Sequence, residues 1–162
     1  MEAVSYISDG VTYKVEPILD DSFIAGDMLT VADAVQDTDP DEYKSAMEKS
    51  VEQELAFSVY VEDTRVGFVY CYKEDFKYIG ASLYIHHNLI SVLVALRTIF
   101  EMSDSHKLVF TPHEDGLQYF KSMCTGPSIR AYHAVGSPVT VLRSSIYAKG
   151  ERLFSYLGIT NG

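Results

Sequence analysis

Tryptophan is absent from the 162 residues, and there are only two cysteines and five prolines. Two cysteines cannot supply a disulfide framework, and Cys71 lies within an apolar strand pattern, where cysteine behaves as a small hydrophobe. No run approaches the ~20 apolar residues of a membrane span. Met1 to Gly10 has neither the basic start nor the apolar core of a signal peptide. These absences predict an intracellular protein with reduced thiols and no membrane span.

Basic residues are also scarce, with 13 Lys and Arg against 23 Asp and Glu, so that the net charge is −10. A surface of this sign repels phosphate backbones, and we therefore expect no nucleic-acid binding. The acidic residues concentrate between Asp33 and Glu54. This segment is either a docking face for a basic protein partner or the solvated surface of a helix. The sequence leaves both interpretations open.

The length fits one domain, because domains usually hold about 100–200 residues. Hydrophobic residues make up 47% of the chain and include 12 Tyr and 8 Phe, which is enough to build a core. The sequence contains no repeat and no low-complexity tract. We assign residues 1–147 to this domain and residues 148–162 to a C-terminal tail.

Alternating or continuous apolar runs predict strands, and apolar residues at helical spacing predict helices. The strands are Val11–Ile18, Leu55–Glu62, Val66–Lys73, Tyr78–Ile85, Lys107–Thr111, Ile129–Val135 and Val139–Ile146. The helices run from an N-cap among Asp20, Asp21 and Ser22 to about Ala34, from Pro40 to about Gln53, from His87 to Met102 and from Asp115 to Met123. Strands joined by short turns form an antiparallel meander, and the strand-helix-strand unit after it forms a right-handed parallel crossover. The fold class is therefore α/β (an α+β mixed sheet) with helices on both faces.

Two segments carry a family resemblance: the hairpin from Val59 to Phe68 (VYVEDTRVGF) and the segment Gln118 to Lys121 (QYFK). In this order of elements they resemble the GNAT superfamily of acetyl-CoA-dependent N-acetyltransferases, over about Tyr13 to Ile146. The resemblance implies a GNAT-like sheet, acetyl-CoA as cofactor and an amine as substrate. The coenzyme-contacting residues that it implies are Leu83, Tyr84, Ile85, Asn88 and Leu89.

The turn that enters the central helix departs from the family pattern. Family members have glycines there, which let backbone N–H groups point at the pyrophosphate beside the helix N-terminus. The matching segment, Ile85 to Ser91 (IHHNLIS), contains no glycine, arginine or lysine. We therefore expect a weak site for a pyrophosphate group and no bound cofactor.

The candidate catalytic residues depart from the family as well. Phe120 stands where the family often places a tyrosine as general acid, so an enzyme of this sequence would have to use the adjacent Tyr119. An amine acceptor needs a base to take its proton; Glu62 and Glu74, both at hairpin ends, could serve, and we assign the role to Glu62. We predict no metal site, because His87, His113 and Glu114 are interpreted as capping and loop residues rather than zinc ligands.

Two functions remain open. The first is a non-catalytic binding or structural protein on a degenerate GNAT-like scaffold, similar to the small internal virion proteins of T7-like bacteriophages. It implies protein partners, which are further copies of this chain or virion components, and a place in the host cytoplasm or in the virion. Tyrosines at strand positions, some of which must face outward, would serve such an interface. The second function is a divergent N-acetyltransferase that acts on an amine.

Overall fold

The computed structural model describes residues 2–32, 39–75, 77–85, 89–103, 107–110, 139–142, 155 and 158–161. The strands are β1 (Val4–Ser8), β2 (Val11–Pro17), β3 (Ala56–Val61), β4 (Thr64–Glu74), β5 (Lys77–Ile85), β6 (Lys107–Phe110), β7 (Val139–Leu142) and β8 (Thr160–Asn161). The helices are α1 (Ile24–Thr30), α2 (Pro40–Glu52) and α3 (Leu89–Met102). Within these described ranges, no helix has the length and apolar character that crossing a membrane requires.

The described strands form one mixed sheet in the order β7-β6-β5-β4-β3-β2-β1-β8. Strands β2 to β5 are neighbours in chain order and pair antiparallel. Helix α3 then carries the chain to β6, which pairs with β5 in parallel. The predicted α/β mixed sheet, with an antiparallel meander followed by a parallel β-α-β crossover, is therefore confirmed.

The sequence analysis assigns no strand to β1 or β8, and both lie at one edge of this sheet. β1 joins β2 through a hairpin in which Asp9 and Gly10 have φ of 50° and 75°. Positive φ at both central residues is the two-residue turn that an Asp-Gly pair favours. β8 pairs with β1 at Tyr6 and Ile7, and Ile159 beside it is buried in the main core. Part of residues 148–162 thus joins the sheet, and their assignment to a separate tail remains a prediction.

The hairpin between β3 and β4 has a shorter turn than the sequence pattern predicts. Val61 pairs with Thr64, so Glu62 and Asp63 alone form the turn, and Glu62 has a φ of 53°. Thr64 and Arg65 belong to β4. The shorter turn therefore places Arg65 on the sheet, where its side chain reaches α1.

Helix α1 is shorter than predicted, and none of the predicted N-cap residues caps it. Phe23 holds the N-cap position and makes no side-chain cap bond. Asp20 instead accepts a hydrogen bond from the backbone N–H of Ser22 at 2.9 Å, which is a local turn. Helix α2 begins as predicted, because Asp39 caps it by accepting from the backbone N–H of Asp41 at 2.9 Å.

The two faces of the sheet bury different sets of side chains, because successive strand residues point to opposite faces. Helix α3 covers one face, here called the α3 face, and the main core lies under it. This core includes Val15, Phe57, Val69, Leu93 and Phe100. Helices α1 and α2 cover the opposite face, here called the α1/α2 face. The smaller cluster there includes Ile24, Met47, Phe68 and Tyr70.

Candidate functional site

The end of β5 and the start of α3 are where the resemblance implies a coenzyme site. Among the described residues, β6 pairs with β5 only at Tyr78 and Ile79. The ladder between β4 and β5 shifts register between Tyr70 and Cys71, which makes Ala81 an extra residue in β5. A bulge beside a strand edge leaves backbone N–H and C=O groups that a ligand could use.

Gly67 of β4 lies very close to this end of β5. A Cβ placed on Gly67 would overlap the Tyr84 carbonyl oxygen and would lie 2.6 Å from the Ile85 Cα. No L side chain can tolerate that approach, so the position requires glycine. The glycine of the Val-Gly-Phe phrase thus allows β4 and β5 to pack closely at the last residues of β5.

The predicted coenzyme-contacting residues are Leu83, Tyr84 and Ile85 in β5, Leu89 at the start of α3, and Asn88, which lies outside the described residues. The half-buried Tyr84 ring stacks on Phe68 with centroids 5.7 Å apart, on the α1/α2 face. Ile85 packs against the main core on the α3 face. Both side chains are therefore engaged with the protein itself, and a role toward a coenzyme stays a prediction.

Of the candidate catalytic residues Glu62 and Tyr119, Glu62 lies within the described part of the chain. Glu62 is exposed in the β3–β4 turn, and its carboxylate accepts a hydrogen bond from the backbone N–H of Thr12 at 3.1 Å. The Glu62 N–H also donates to the Thr12 carbonyl at 2.8 Å. These bonds extend the pairing of β2 with β3, which is a structural role. Tyr119 lies outside the described residues.

A buried ion pair that the sequence analysis does not predict joins α1 to β4. The Asp27 side chain is 4% exposed and the Arg65 side chain 21% exposed. Arg65 Nη1 lies 2.5 Å from Asp27 Oδ1, and Arg65 Nη2 lies 2.8 Å from Asp27 Oδ2. Two parallel N–H···O bonds make this a bidentate pair, the strongest geometry between these groups.

Further polar groups complete this arrangement. Tyr70 donates its hydroxyl to Asp27 Oδ2 at 2.7 Å, and Arg65 Nε donates to the Ser58 hydroxyl at 2.9 Å. The guanidinium carbon of Arg65 lies 4.1 Å from the ring centroid of Phe23 and 5.4 Å from that of Phe68. We call this group of residues the Asp27 cluster: Phe23, Asp27, Ser58, Arg65, Phe68 and Tyr70.

The surroundings of the Asp27 cluster raise the pKa of two of its members, Tyr70 and Arg65. Burial and the hydrogen bond to Asp27 both raise the pKa of Tyr70. Burial lowers the pKa of Arg65, but hydrogen bonding to Asp27 and the charge of that carboxylate outweigh burial and raise it overall. Tyr70 therefore remains a neutral hydroxyl and Arg65 a cation, so neither group is poised to exchange protons near neutral pH.

A second buried polar pair lies beside the bulge of β5. Tyr43 of α2 donates its hydroxyl to Ser82 Oγ at 2.5 Å, and both residues are buried. Burial raises the pKa of Tyr43, although the hydrogen bond to Ser82 acts in the opposite direction. This contact fixes α2 over β5 on the α1/α2 face.

These polar contacts are hard to predict from sequence patterns. Asp27 and Arg65 are 38 residues apart in the chain, and Tyr43 and Ser82 are 39 apart. The one available signal was an aspartate on the apolar side of α1, with Ile24 three residues before it. Acidic residues are almost never fully buried without a partner, so that position predicts a partner without identifying it.

Metal coordination has no support within the described ranges, where no three His, Cys, Asp or Glu side chains are grouped for it. His87, His113 and Glu114 lie outside those ranges. Cys71 is fully buried, and burial raises the pKa of its thiol to about 12. Its Sγ contacts the Leu55 carbonyl at 3.3 Å, so this cysteine acts as a core residue.

No family model matches the chain, and no curated protein matches it. Solved structures do match. An uncharacterised Bacillus halodurans protein has a TM-score of 0.56 at 11% identity, over 91% of this chain and 94% of that one. The catalytic domain of a Tetrahymena histone acetyltransferase, solved with coenzyme A, has a TM-score of 0.47 at 12% identity, over 84% of this chain and 95% of that one.

A Pyrococcus horikoshii protein named as an acetyltransferase has a TM-score of 0.48 at 17% identity, over 68% of this chain. The match spans only 42% of that protein's own length. At such identities the likeness concerns the fold alone. The observed strand order and crossover agree with the mixed sheet that the sequence resemblance implies, and TM-scores below 0.5 carry no argument about activity.

Proposed function

We propose that this chain is a non-catalytic binding protein built on a GNAT-like sheet. The observation that carries the proposal is that two carboxylates beside β4 are hydrogen-bonded within the protein. Asp27 is held by Arg65 and Tyr70, and Glu62 is held at the β2–β3 pairing. Transfer of an acyl group to an amine needs a base placed to take a proton, and each of these carboxylates already accepts hydrogen bonds from other parts of the chain.

The turn before α3 supports the same proposal. Its sequence, His86-His87-Asn88, contains no glycine and no basic residue. A pyrophosphate group needs bare backbone N–H groups or cations, and this sequence offers neither the glycines nor the basic residues that supply them. The partial positive charge of the α3 N-terminus is the attraction that remains, and it is worth about 1 kcal/mol or less at an exposed site.

The surface of α1 and α2 supports a protein partner. Helix α2 exposes the acidic residues Asp41, Glu42, Glu48 and Glu52. Leu19, which precedes α1, is 77% exposed, and Leu29, in the last turn of α1, is 78% exposed. Apolar side chains beside an acidic helix suit a partner with a basic surface and an apolar centre. A packaged bacteriophage virion component, which the sequence resemblance implies, is one form of this proposal.

Calorimetric titration with acetyl-CoA tests the proposal directly. We expect no binding heat at millimolar ligand. Binding with a micromolar dissociation constant would contradict it. Mass spectrometry of purified particles tests the virion form, since peptides of this chain should co-purify with capsid protein; their absence from particles, with the protein present in the lysate, would remove that form.

The alternative is a divergent acetyl-CoA-dependent N-acetyltransferase, and the bulge at Ala81 favours it. The backbone of β5 beyond Ile79 would hold the pantetheine arm, and Tyr119 would supply the proton to the thiolate. The matched experiment is acetyl transfer to a polyamine by the wild-type chain and by Tyr119→Phe, with Phe120→Leu as the control. Transfer that Tyr119→Phe abolishes and Phe120→Leu preserves would establish the enzyme and remove the non-catalytic proposal.

A further inference from the structure

The guanidinium group of Arg65 is surrounded as a bound cation would be. Asp27 of α1 supplies a bidentate carboxylate, and the hydroxyl of Ser58 from β3 accepts from Nε. The rings of Phe23 and Phe68 lie 4.1 Å and 5.4 Å from the guanidinium carbon. A carboxylate together with aromatic faces is the combination by which proteins recognise guanidinium and ammonium groups.

Arg65 lies on the exposed side of the Asp27 cluster, beside a turn. It is the second residue of β4, next to the two-residue turn, and its side chain is 21% exposed while that of Asp27 is 4% exposed. A long side chain at the mouth of a pocket can rotate into solvent about its own bonds. The groups that would stay behind, Asp27 and Ser58, are buried on other elements.

We infer that the Asp27 cluster is a guanidinium-binding pocket for an arginine of a protein partner, and that Arg65 occupies it as an internal competitor. The partner's arginine takes the place of Arg65 on Asp27, between the rings of Phe23 and Phe68. Arg65 then turns outward, where its charge is solvated. The inference rests on the proposed function in one respect, namely that the partner is a protein.

The charge of the chain agrees with a cationic ligand. The net charge is −10, and Asp20 and Asp21 are exposed immediately before α1. A field of this sign raises the local concentration of cations and repels anions. An anionic ligand for Arg65 is disfavoured for the same reason, although its guanidinium would otherwise suit a carboxylate.

The first experiment removes the internal competitor and supplies a free one. Arg65→Ala leaves the Asp27 carboxylate buried without a cation, so its melting temperature should fall. Methylguanidinium at about 50 mM should then raise the melting temperature by about 3 °C, because a ligand that binds only the folded state stabilises it. The control ions are sodium and methylammonium at equal ionic strength, which should raise it less.

The matched control variant is Arg65→Ala combined with Asp27→Asn, which has the same cavity without the charge. Methylguanidinium should not stabilise it. Equal stabilisation of both variants, or of neither, would overturn the pocket. If Arg65→Ala does not fold, Arg65→Thr replaces it in both arms of the experiment, because threonine has a higher β-propensity at this strand position.

The second experiment measures competition with the blocked tripeptide acetyl-Gly-Arg-Gly-amide, followed by NMR shifts of the α1 amides. The tripeptide should bind Arg65→Ala at least about tenfold more tightly than the wild type, because Arg65 of the wild type is present at high effective concentration. Equal affinity for the two proteins would contradict the competitor role. Neither experiment contains a coenzyme, so the two proposals can fail separately. If methylguanidinium does not stabilise Arg65→Ala, the guanidinium pocket alone is contradicted. If acetyl transfer is detected, the proposed non-catalytic function alone is contradicted.

Discussion

The two faces of the sheet are packed by different chemistry. On the α3 face, apolar side chains from α3 and from alternate strand residues form the larger core. On the α1/α2 face, a smaller apolar cluster surrounds the ion pair of Asp27 with Arg65 and the hydroxyl pair of Tyr43 with Ser82. Apolar burial stabilises without regard to direction, whereas hydrogen-bonded polar groups accept only one arrangement of their helix.

This difference suggests a division of roles. The α3 face supplies most of the stability, since burial of apolar area is the dominant favourable contribution to folding. The α1/α2 face sets the positions of α1 and α2, because a buried ion pair adds little net stability and is costly to break. Substitutions on the two faces should therefore differ in size and in whether a second change can compensate for them.

The largest effect is expected on the α3 face. Phe57 is fully buried there, and Phe57→Ala should lower the free energy of unfolding by about 3–5 kcal/mol, because it removes apolar contacts and leaves a cavity. Urea denaturation measures the change. The control Phe57→Leu keeps most of the volume and should lose clearly less; equal losses for the two variants would show that this position does not determine core packing.

The ion pair should show a different pattern. Arg65→Met alone should cost about 3 kcal/mol, because it leaves the Asp27 carboxylate buried without a cation. Adding Asp27→Leu should recover part of this loss and bring stability to within about 2 kcal/mol of the wild type, because the pair is then apolar while the buried Tyr70 hydroxyl loses its acceptor. A double-mutant cycle in urea measures both values. A double variant as unstable as Arg65→Met would mean that the charges themselves stabilise this face.

A substitution at Gly67 tests how closely β4 and β5 approach each other. Both faces of the sheet depend on this approach. Gly67→Ala should cost about 2–3 kcal/mol, because its Cβ would overlap the Tyr84 carbonyl oxygen and one strand must move. Gly26→Ala in α1 is the matched control, since no atom lies within 4 Å of the added Cβ. That change should stabilise by about 0.5–1 kcal/mol, as expected for alanine in a helix. Thermal unfolding of both variants should reveal the opposite signs.

The smallest effect concerns pH. Burial raises the pKa of Cys71 to about 12 in the folded state, whereas an unfolded thiol ionises near about 8.5. The unfolded state therefore loses this proton first, and stability should fall as pH rises between these two values. Cys71→Val should flatten the decline. Identical slopes for the two proteins in urea denaturation at pH 8 and pH 10 would contradict this assignment.

The apolar patterns of the sequence predicted the meander and the central helix well. Apolar residues at helical spacing gave α3 its correct C-terminal end at Met102, and alternation gave β3, β4 and β5 to within a few residues. Such patterns work because burial on one face requires a period of 3.6 in a helix and of 2 in a strand. β1 carries the same alternation and precedes an Asp9-Gly10 turn, a strong local hairpin signal that the sequence analysis did not use.

Local polar patterns predicted less. Asp20, Asp21 and Ser22 are all good N-cap residues, and α1 nevertheless begins after Phe23 without a side-chain cap. A capping bond contributes about 1 kcal/mol, so tertiary packing of Ile24 and pairing of Asp27 can shift the start of such a short helix. The site residues Glu62 and Tyr119 came from the resemblance alone, and Glu62 serves strand pairing instead.

The sequence by itself determined the order of β2 to β6 with the three helices among them, and the acidic charge, because both follow from the types and spacing of neighbouring residues. The tertiary structure alone decided that Asp27 meets Arg65 and that Tyr43 meets Ser82. Each pair joins elements that are nearly 40 residues apart, 38 and 39 in the two cases. No local period encodes such a contact, since it depends on how α1 and α2 are laid across the finished sheet.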